Sequence, residues 1–139
     1  MDEVMDWSKR PRPVVTLDTQ FFWDGAKAGE LRIQKCGACG NLQHPPEPFC
    51  PACGATDPGW IVSKGAGAVF SFVAYHEPKL PGFAYPYIVA VVELDEGSRV
   101  VANVEGIDPA EVEIGTRVKV EFRRVDDETT LPVFVASGA

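Results

Sequence analysis

The stretch that decides the fold is Cys36-Gly37-Ala38-Cys39 followed, ten residues further on, by Cys50-Pro51-Ala52-Cys53. The chain has 139 residues, and these are its four cysteines. Two CxxC pairs at this spacing can place four thiolates about 2.3 Å from one ion, in the tetrahedral arrangement of structural Zn²⁺. The sequence therefore predicts a structural zinc ion bound by Cys36, Cys39, Cys50 and Cys53. With every thiol bound to metal, none remains as a catalytic nucleophile.

Two other uses of the four cysteines stay open. A rubredoxin-type iron site has the same four thiolate ligands, although its CxxC pairs normally lie further apart than these do. Disulfide bonds need an oxidising compartment, and the charged N-terminus, residues 1–10, lacks the apolar core of a secretory signal. His44 lies between the two pairs, but four thiolates complete a site, so we expect His44 to be a turn residue and not a ligand.

The segment that carries the cysteines needs the metal for stability. From Leu31 to Val62 it has few large apolar residues and is rich in glycine and proline. Ordering a backbone costs about 1–2 kcal/mol per residue, and a segment this short buries too little surface to offset that cost. Zinc binding contributes about 10–16 kcal/mol. We therefore expect a closed site that stabilises the fold, without the open position that a catalytic zinc keeps for water.

Composition and charge exclude several classes of function. No apolar run approaches the roughly 20 residues of a membrane span, so we expect a cytoplasmic protein with no membrane partner. The chain has 13 Lys and Arg against 20 Asp and Glu, a net charge of −7. No basic residue lies between Cys36 and Ser63. Because nucleic-acid binding needs a basic surface, the charge pattern argues against nucleic acid as a partner.

Three regions follow one another along the chain. Residues 1–15 mix charges with prolines and show no periodicity, so we expect a tail or linker, and an excised domain junction is one hypothesis for it. Residues 16–63 are predicted to hold a short helix and the zinc ribbon. Residues 64–139 alternate in hydrophobicity and are predicted to form a β-barrel.

Five short strands are predicted in the barrel region, over residues 66–76, 85–95, 99–105, 116–125 and 131–136. In the fourth strand Val118, Val120 and Phe122 are predicted to face inward. In the first, the alternation places two sets on opposite sides: Phe70, Phe72 and Ala74 against Val69, Val73 and Tyr75. Five short strands with a brief insertion between the third and the fourth match the five-stranded Greek-key barrel of the OB-fold, although strand count alone also allows another small barrel or a sandwich. The predicted fold class is mainly β: a short helix, a rubredoxin-like zinc ribbon and a five-stranded OB-fold barrel.

The predicted helix carries three consecutive aromatic residues, Phe21, Phe22 and Trp23, and Gly29 can end it. Three neighbouring rings on a short helix cannot all point the same way. Some of this aromatic surface must contact the rest of the chain or a partner. Phe21, Phe22 and Trp23 are therefore candidate partner-binding residues.

The order of these motifs resembles a known family. Phe22-Trp23 lies in the helix, and the two CxxC pairs end in Cys39-Gly40 and Cys53-Gly54 with Pro45-Pro46 between them. Followed by a barrel pattern, this order is similar to the acyl-CoA-associated family of zinc-ribbon plus OB-fold proteins, long known as a domain of unknown function. The resemblance extends over about residues 16–136, and the combination of motifs is more specific than any one of them.

The resemblance implies a role as a partner of other enzymes. Family members bind thiolase-superfamily enzymes and acyl-CoA hydratases, in archaeal complexes of a thiolase with hydroxymethylglutaryl-CoA synthase and in bacterial steroid side-chain degradation. In the steroid pathway the domain is fused behind a hydratase and supports a thiolase-like aldolase, which cleaves an acyl-CoA by a retro-aldol step. The resemblance thus implies an accessory subunit that docks on such an aldolase, with acyl-CoA at or near the shared interface.

The loop between the first two barrel strands, residues 77–86, offers a second candidate surface. It carries three prolines and three apolar residues that we expect to be exposed, Leu80, Phe83 and Tyr85. A loop stiffened by proline loses little entropy on docking, and aromatic side chains often anchor interfaces. The three residues are therefore candidate partner contacts, with a loop folded back on its own barrel as the alternative. Lys79 is a candidate for contact with a CoA phosphate.

The remaining residues agree with an accessory role. Neither His44 nor His76 has a motif that pairs it with a serine or an aspartate. No glycine motif of the phosphate-binding kind lies between a predicted strand and a predicted helix. We therefore name no catalytic residue. A nucleic-acid-binding module and an iron electron-transfer protein remain the alternatives, since OB-folds and zinc ribbons also occur in nucleic-acid-binding proteins.

Overall fold

The computed structural model describes residues 9–77, 79, 83–84 and 86–137. Its elements are α1 Gln20–Lys27, β1 Leu31–Cys36, β2 Leu42–Gln43, β3 Pro58–Ser63, β4 Ala66–Tyr75, β5 Tyr87–Leu94, β6 Arg99–Glu105, β7 Arg117–Arg124 and β8 Thr130–Ala136. The prediction of a mainly β chain with one short helix is confirmed for these residues. Between β6 and β7, residues 109–111 form a turn.

Helix α1 has eight residues and ends at Lys27, two residues before Gly29. The chain before it forms a turn, in which the Thr16 N–H donates to the Thr19 hydroxyl at 2.9 Å. After the helix the backbone turns at Gly29, which has a φ of 77° and so favours glycine. Nowhere in the described part of the chain is there a helix with the length and apolarity to cross a membrane.

The zinc ribbon region is a three-stranded antiparallel sheet in the order β2-β1-β3. Strand β1 lies in the middle and pairs with β3 from Leu31 opposite Ser63 to Cys36 opposite Pro58. The two-residue strand β2 pairs with the other edge of β1. The sheet thus places Cys36 at the end of β1, a strand that pairs with β3 along its whole length.

The second region is a closed barrel with the strand order β4-β5-β6-β8-β7. Strands β6 and β8 pair in parallel, with Val104 opposite Phe134, and β4 closes the barrel by pairing with β7. Val118 is fully buried, and Val120 and Phe122 pack against the core as predicted. Closure excludes the sandwich alternative and confirms the five-stranded OB-fold.

A bulge in β4 overturns part of the predicted alternation. The ladder pairs Val69 and Ser71 with adjacent residues of β5, so Phe70 is an extra residue on one strand. Each side chain after the bulge changes sides relative to a regular strand. Val69 therefore faces the core, whereas Val73 and Tyr75 are exposed, and the prediction that these three share one side is wrong.

The ribbon and the barrel share one hydrophobic core. Phe22 of α1 and Ile33 of β1 belong to the same buried cluster as the barrel residues. At the junction, the Ser63 hydroxyl donates a hydrogen bond to one carboxylate oxygen of Glu96 and the Lys64 N–H donates to the other, both at 2.8 Å. Glu96 lies in the β5–β6 turn, so this turn fixes the connection between the two sheets.

The described part of the predicted tail is attached to the barrel. Arg10 is buried, and its Nη1 donates to Oδ1 of Asn103 in β6 at 3.1 Å. Arg12 forms an ion pair with Asp126 at 2.9 Å. Residues 9–15 thus lie against the barrel without forming a strand of it.

Gly67 of β4 lies close to the backbone of β5 and leaves no room there for a side chain. A Cβ atom at this position would fall on the backbone carbonyl oxygen of Glu93. Because the strands must separate to accept a methyl group, we expect Gly67→Ala to lower the free energy of unfolding by about 2–3 kcal/mol in urea titrations. Ser71→Ala, an exposed change in the same strand, is the control and should be nearly neutral. Equal stability of the two variants would contradict the expected collision.

Candidate metal centre and partner surfaces

The two CxxC pairs form loops with the same hydrogen bonds. The N–H of Gly40 donates to the carbonyl of Cys36 at 2.9 Å, and the N–H of Gly54 donates to the carbonyl of Cys50 at 2.8 Å. Both glycines have a positive φ, 77° and 79°, which side chains of L-residues rarely allow. Glycine directly after each pair therefore permits the turn that both loops share.

The four sulfur atoms face one another across the two loops. Sγ of Cys36 lies 3.7 Å from Sγ of Cys53, and Sγ of Cys39 lies 3.6 Å from Sγ of Cys50. All four sulfur atoms lie within 4.8 Å of one another. Four thiolates 2.3 Å from a central zinc ion are separated by about 3.8 Å, whereas a disulfide needs about 2.0 Å. The cysteines therefore fit a tetrahedral metal ion and not a disulfide.

The backbone of each loop favours the thiolate form of one cysteine, and hydrogen bonds between the sulfur atoms keep the proton on another. The N–H of Cys39 lowers the pKa of the Cys36 thiol, and the N–H of Cys53 lowers the pKa of Cys50 to about 6. At Cys39 the N–H of Asn41 also lowers the pKa, but hydrogen bonds to the neighbouring thiols, Cys50 first, outweigh it and raise this pKa to about 12. A divalent ion bound by the four sulfur atoms would replace these protons, because a coordinating thiol is deprotonated.

His44 stays outside the metal cluster. Within the described residues, a group of cysteine, histidine or acidic side chains close enough to share an ion occurs only at the four cysteines. The His44 ring packs against Phe22 with the ring centroids 5.1 Å apart, and its Nδ1 is buried with no hydrogen-bond partner in the described part of the chain. Burial lowers the pKa of His44. The predicted turn residue is therefore a partly buried side chain.

The lowered pKa of His44 predicts a pH dependence of stability. In the unfolded chain histidine has a pKa of about 6.5, so the unfolded state takes up the proton first as the pH falls. The free energy of unfolding should therefore decrease as the pH falls from about 7 toward the lower folded-state pKa. Urea titrations of wild type and His44→Asn at pH 7.5 and 5.5 measure this. Because acid also weakens zinc binding in both proteins, the comparison isolates His44, and an equal loss in the two would contradict the assignment.

The three rings of α1 have different environments. Phe22 is buried in the core, with the Trp23 ring edge-on to it at 5.0 Å, so Phe22 packs within the chain. Phe21 stacks on Trp60 of β3 at 5.4 Å, and Trp60 is half exposed. The guanidinium of Arg32 lies 5.1 Å from the Trp60 ring. Of the three predicted contacts, Phe21 and Trp23 retain exposed surface.

The predicted loop surface is described only in part, since Leu80 and Tyr85 lie outside the described residues. Phe83 stacks on Tyr87 at 4.8 Å, and the guanidinium of Arg10 lies 4.2 Å from the Phe83 ring. Phe83 therefore packs on its own barrel and is partly exposed. Lys79 is exposed.

Several residues of these surfaces were not among the predicted contacts. The exposure of Trp60 could have been predicted, because the alternation of β3 places Trp60 and Val62 on one exposed face. Gln34 of β1 holds the proline-rich spacer by accepting a hydrogen bond from the Glu47 N–H and donating to the Glu47 carbonyl, both at 2.8 Å. The contact of Arg10 with the barrel could not be predicted from the sequence, because its partner Asn103 lies 93 residues away.

Two family models match this chain. The model described as "ChsH2, rubredoxin-like zinc ribbon domain" matches residues 23–59, and "ChsH2, C-terminal OB-fold domain" matches residues 60–123. A "DUF35 domain-containing scaffold protein" of Methanothermobacter thermautotrophicus is 36% identical over 103 residues, which are 70% of this chain and 75% of that protein. The chain belongs to the DUF35 family. Its four cysteines form the site of a structural zinc ion.

Two longer relatives are more similar to this DUF35 chain. The "Probable enoyl-CoA hydratase alpha subunit" of Thermomonospora curvata is 46% identical over 125 residues, 90% of this chain and 39% of that protein. The "3-oxo-4,17-pregnadiene-20-carboxyl-CoA hydratase alpha subunit" of Mycobacterium tuberculosis is 48% identical over 111 residues, 80% of this chain and 35% of that protein. The chain thus spans little more than a third of the length of these relatives.

A solved structure shows the same DUF35 architecture. The chain superposes on a chain of "Ltp2-ChsH2(DUF35) aldolase" with a TM-score of 0.86 and 44% identity, over 91% of this chain and 99% of that chain. The likeness extends over both the zinc ribbon and the barrel. The resemblance inferred from the sequence motifs is confirmed.

Proposed function

We propose that this chain is an accessory component of an acyl-CoA-processing complex, which docks on a thiolase-like aldolase and stabilises or completes its acyl-CoA site. One observation carries the proposal: the likeness to a chain of the Ltp2-ChsH2(DUF35) aldolase, which covers nearly all of that chain. The 48% identity to part of a steroid carboxyl-CoA hydratase subunit supports steroid side-chain degradation as the process. A hydratase is a further candidate partner, and the cytoplasm is the compartment we propose.

The chemistry of the described side chains supports an accessory role for this chain and a catalytic role for its partner. The four thiols are ligands of a closed metal site, and a site with four protein ligands has no open position for substrate. His44 is partly buried against Phe22, and His76 is exposed after the end of β4. We therefore place the acid, base and nucleophile of the reaction on the partner. Lys79 remains the candidate for contact with a CoA phosphate.

Binding of the zinc-loaded chain to the aldolase subunit tests the proposal. Calorimetric titration of an Ltp2-type aldolase subunit with the purified chain should show saturable binding, and the two should co-elute in size-exclusion chromatography. The chain alone should not cleave a steroid side-chain acyl-CoA. Absence of binding, or cleavage by the chain alone, would contradict the proposal.

A second candidate function is that of a scaffold between a thiolase and hydroxymethylglutaryl-CoA synthase. The observation in its favour is the 36% identity to a DUF35 scaffold protein over 75% of that protein's length. Titration of an acetoacetyl-CoA thiolase with the same preparation distinguishes the two candidates. Tighter binding to the thiolase than to the aldolase would favour the scaffold.

A further inference from the structure

The segment before α1 contains a buried arginine. Arg10 is only 7% exposed, although residues 11–16 after it have no regular secondary structure. Burial of a charged side chain costs free energy unless the charge is paired or hydrogen-bonded. Nη1 of Arg10 donates to Oδ1 of Asn103 in β6 at 3.1 Å, and the Asn103 amide donates to the carbonyl of Ile88 in β5 at 3.1 Å. This amide thus connects the guanidinium to both strands.

The backbone of Arg10 is also held against the barrel. Nη1 of Arg12 donates to the carbonyl of Arg10 at 2.7 Å. Nε of Arg12 forms an ion pair with Asp126, which lies between β7 and β8, at 2.9 Å. Because both its side chain and its backbone have partners, Arg10 holds its guanidinium in a defined position on the barrel.

Three aromatic rings follow the Arg10 guanidinium in a row. The guanidinium carbon lies 4.2 Å from the centre of the Phe83 ring, and Phe83 stacks on Tyr87 at 4.8 Å. Tyr87 in turn stacks on Tyr75 at 5.3 Å. We call Phe83, Tyr87 and Tyr75 the aromatic stack. Its last member, Tyr75, is 41% exposed, so the stack leads from a buried cation to the surface.

Phe83 differs from the other two rings in how its backbone is held. Tyr75 and Tyr87 lie opposite each other in the paired strands β4 and β5, whereas Phe83 lies outside the helices and strands. A cation within about 6 Å of an aromatic face attracts the ring, and more strongly where the cation is desolvated. We propose that Arg10 is a positioning residue, which holds Phe83 in the aromatic stack and so in the position from which this ring contacts the aldolase subunit.

The proposal rests on the proposed function and gives a role to a segment that the sequence predicted as a tail or linker. Phe83 is partly exposed, so part of its ring remains available to a partner. An aromatic side chain that is held in place before binding loses less entropy on docking than a mobile one. Arg10 itself is buried, so its effect on binding is exerted through Phe83.

Proton NMR of the zinc-loaded chain tests whether Arg10 holds Phe83. Wild type should show nuclear Overhauser contacts between the rings of Phe83 and Tyr87, and Arg10→Gln should lose them. The contacts between Tyr75 and Tyr87 should persist in both proteins, because these two residues pair in the sheet. Retention of the Phe83–Tyr87 contacts in Arg10→Gln would overturn the positioning role. Loss of the Tyr75–Tyr87 contacts as well would overturn it too, since Arg10 would then stabilise the barrel in general.

Calorimetric titrations with the aldolase subunit test whether Arg10 acts on binding through Phe83. We expect Arg10→Gln and Phe83→Leu each to weaken binding about 10-fold. The double variant should also lose about 10-fold, because removal of the ring leaves Arg10 nothing to position. A loss of about 100-fold in the double variant would show two independent effects and overturn the proposal.

Arg99→Gln is the matched control for this coupling. The Arg99 guanidinium carbon lies 3.8 Å from the centre of a different ring, Phe70, so its effect should multiply with that of Phe83→Leu. Equal coupling of Arg99 and Arg10 to Phe83 would contradict the proposal. If wild type binds and Phe83→Leu binds equally well, the contact by Phe83 is overturned while the proposed function stands. Absence of binding by wild type overturns the proposed function and that contact, whereas the NMR comparison still decides whether Arg10 holds Phe83.

Discussion

Removal of the metal, or replacement of Cys39 by serine, is expected to unfold the zinc ribbon. Structural zinc contributes about 10–16 kcal/mol to the folding of such small domains. The ribbon outside the metal site has only a three-stranded sheet, one strand of which has two residues. Because Phe22 and Ile33 connect it to the barrel core, loss of the ribbon should also lower the melting temperature of the barrel. Far-UV dichroism together with metal analysis measures both effects.

The control for this prediction is Ala38→Ser, an exposed change inside the first CxxC loop that leaves all four ligands in place. This variant should retain one zinc ion and the dichroism of wild type. A metal-free chain with unchanged dichroism would show that the ion does not stabilise the fold. Iron in place of zinc in the purified protein would contradict the assignment of the metal.

Phe134→Ala is expected to destabilise the barrel by about 3–5 kcal/mol. Phe134 is the largest of the fully buried side chains and lies in β8, opposite Val104 of β6 and Val120 of β7. Its removal leaves a cavity beside the parallel pairing of β6 with β8, so the loss of stability includes both lost burial and lost packing. Urea unfolding followed by fluorescence gives the difference in the free energy of unfolding.

Phe70→Ala provides the matched control, because it removes the same atoms from a strand of the same barrel. Phe70 lies in the bulge of β4 and is 46% exposed, and the Arg99 guanidinium carbon lies 3.8 Å from the centre of its ring. We expect a loss of about 1 kcal/mol or less, mainly from this cation–π contact. A loss for Phe70→Ala as large as that for Phe134→Ala would contradict the assignment of the core.

The features set by local chemistry could be predicted from the sequence. The spacing of Cys36, Cys39, Cys50 and Cys53 determines which atoms can share an ion, and glycine after each pair permits the loop. The third predicted barrel strand, residues 99–105, coincides with β6, Arg99–Glu105. The order of helix, cysteine pairs and strands along the chain was enough to suggest the family.

The features that depend on distant pairing could not be predicted. The bulge at Phe70 follows from how β4 pairs with β5, and regular alternation does not show it. Phe22 is buried because the barrel packs beneath α1, whereas its sequence neighbours are equally aromatic. His44 and Pro45 line one depression together with Val91 of β5 and Val101 of β6, so residues far apart in the sequence meet there. Such surfaces are set by the tertiary fold.

We propose that this chain supports acyl-CoA cleavage without providing catalytic residues. This claim is tested most directly by the initial rate of carbon–carbon cleavage of a steroid side-chain acyl-CoA by the aldolase subunit, measured as the zinc-loaded chain is added. We expect a rate that depends on the chain, reaches a plateau and is lost when the zinc is removed. A full rate from the aldolase subunit in the absence of the chain would contradict the claim.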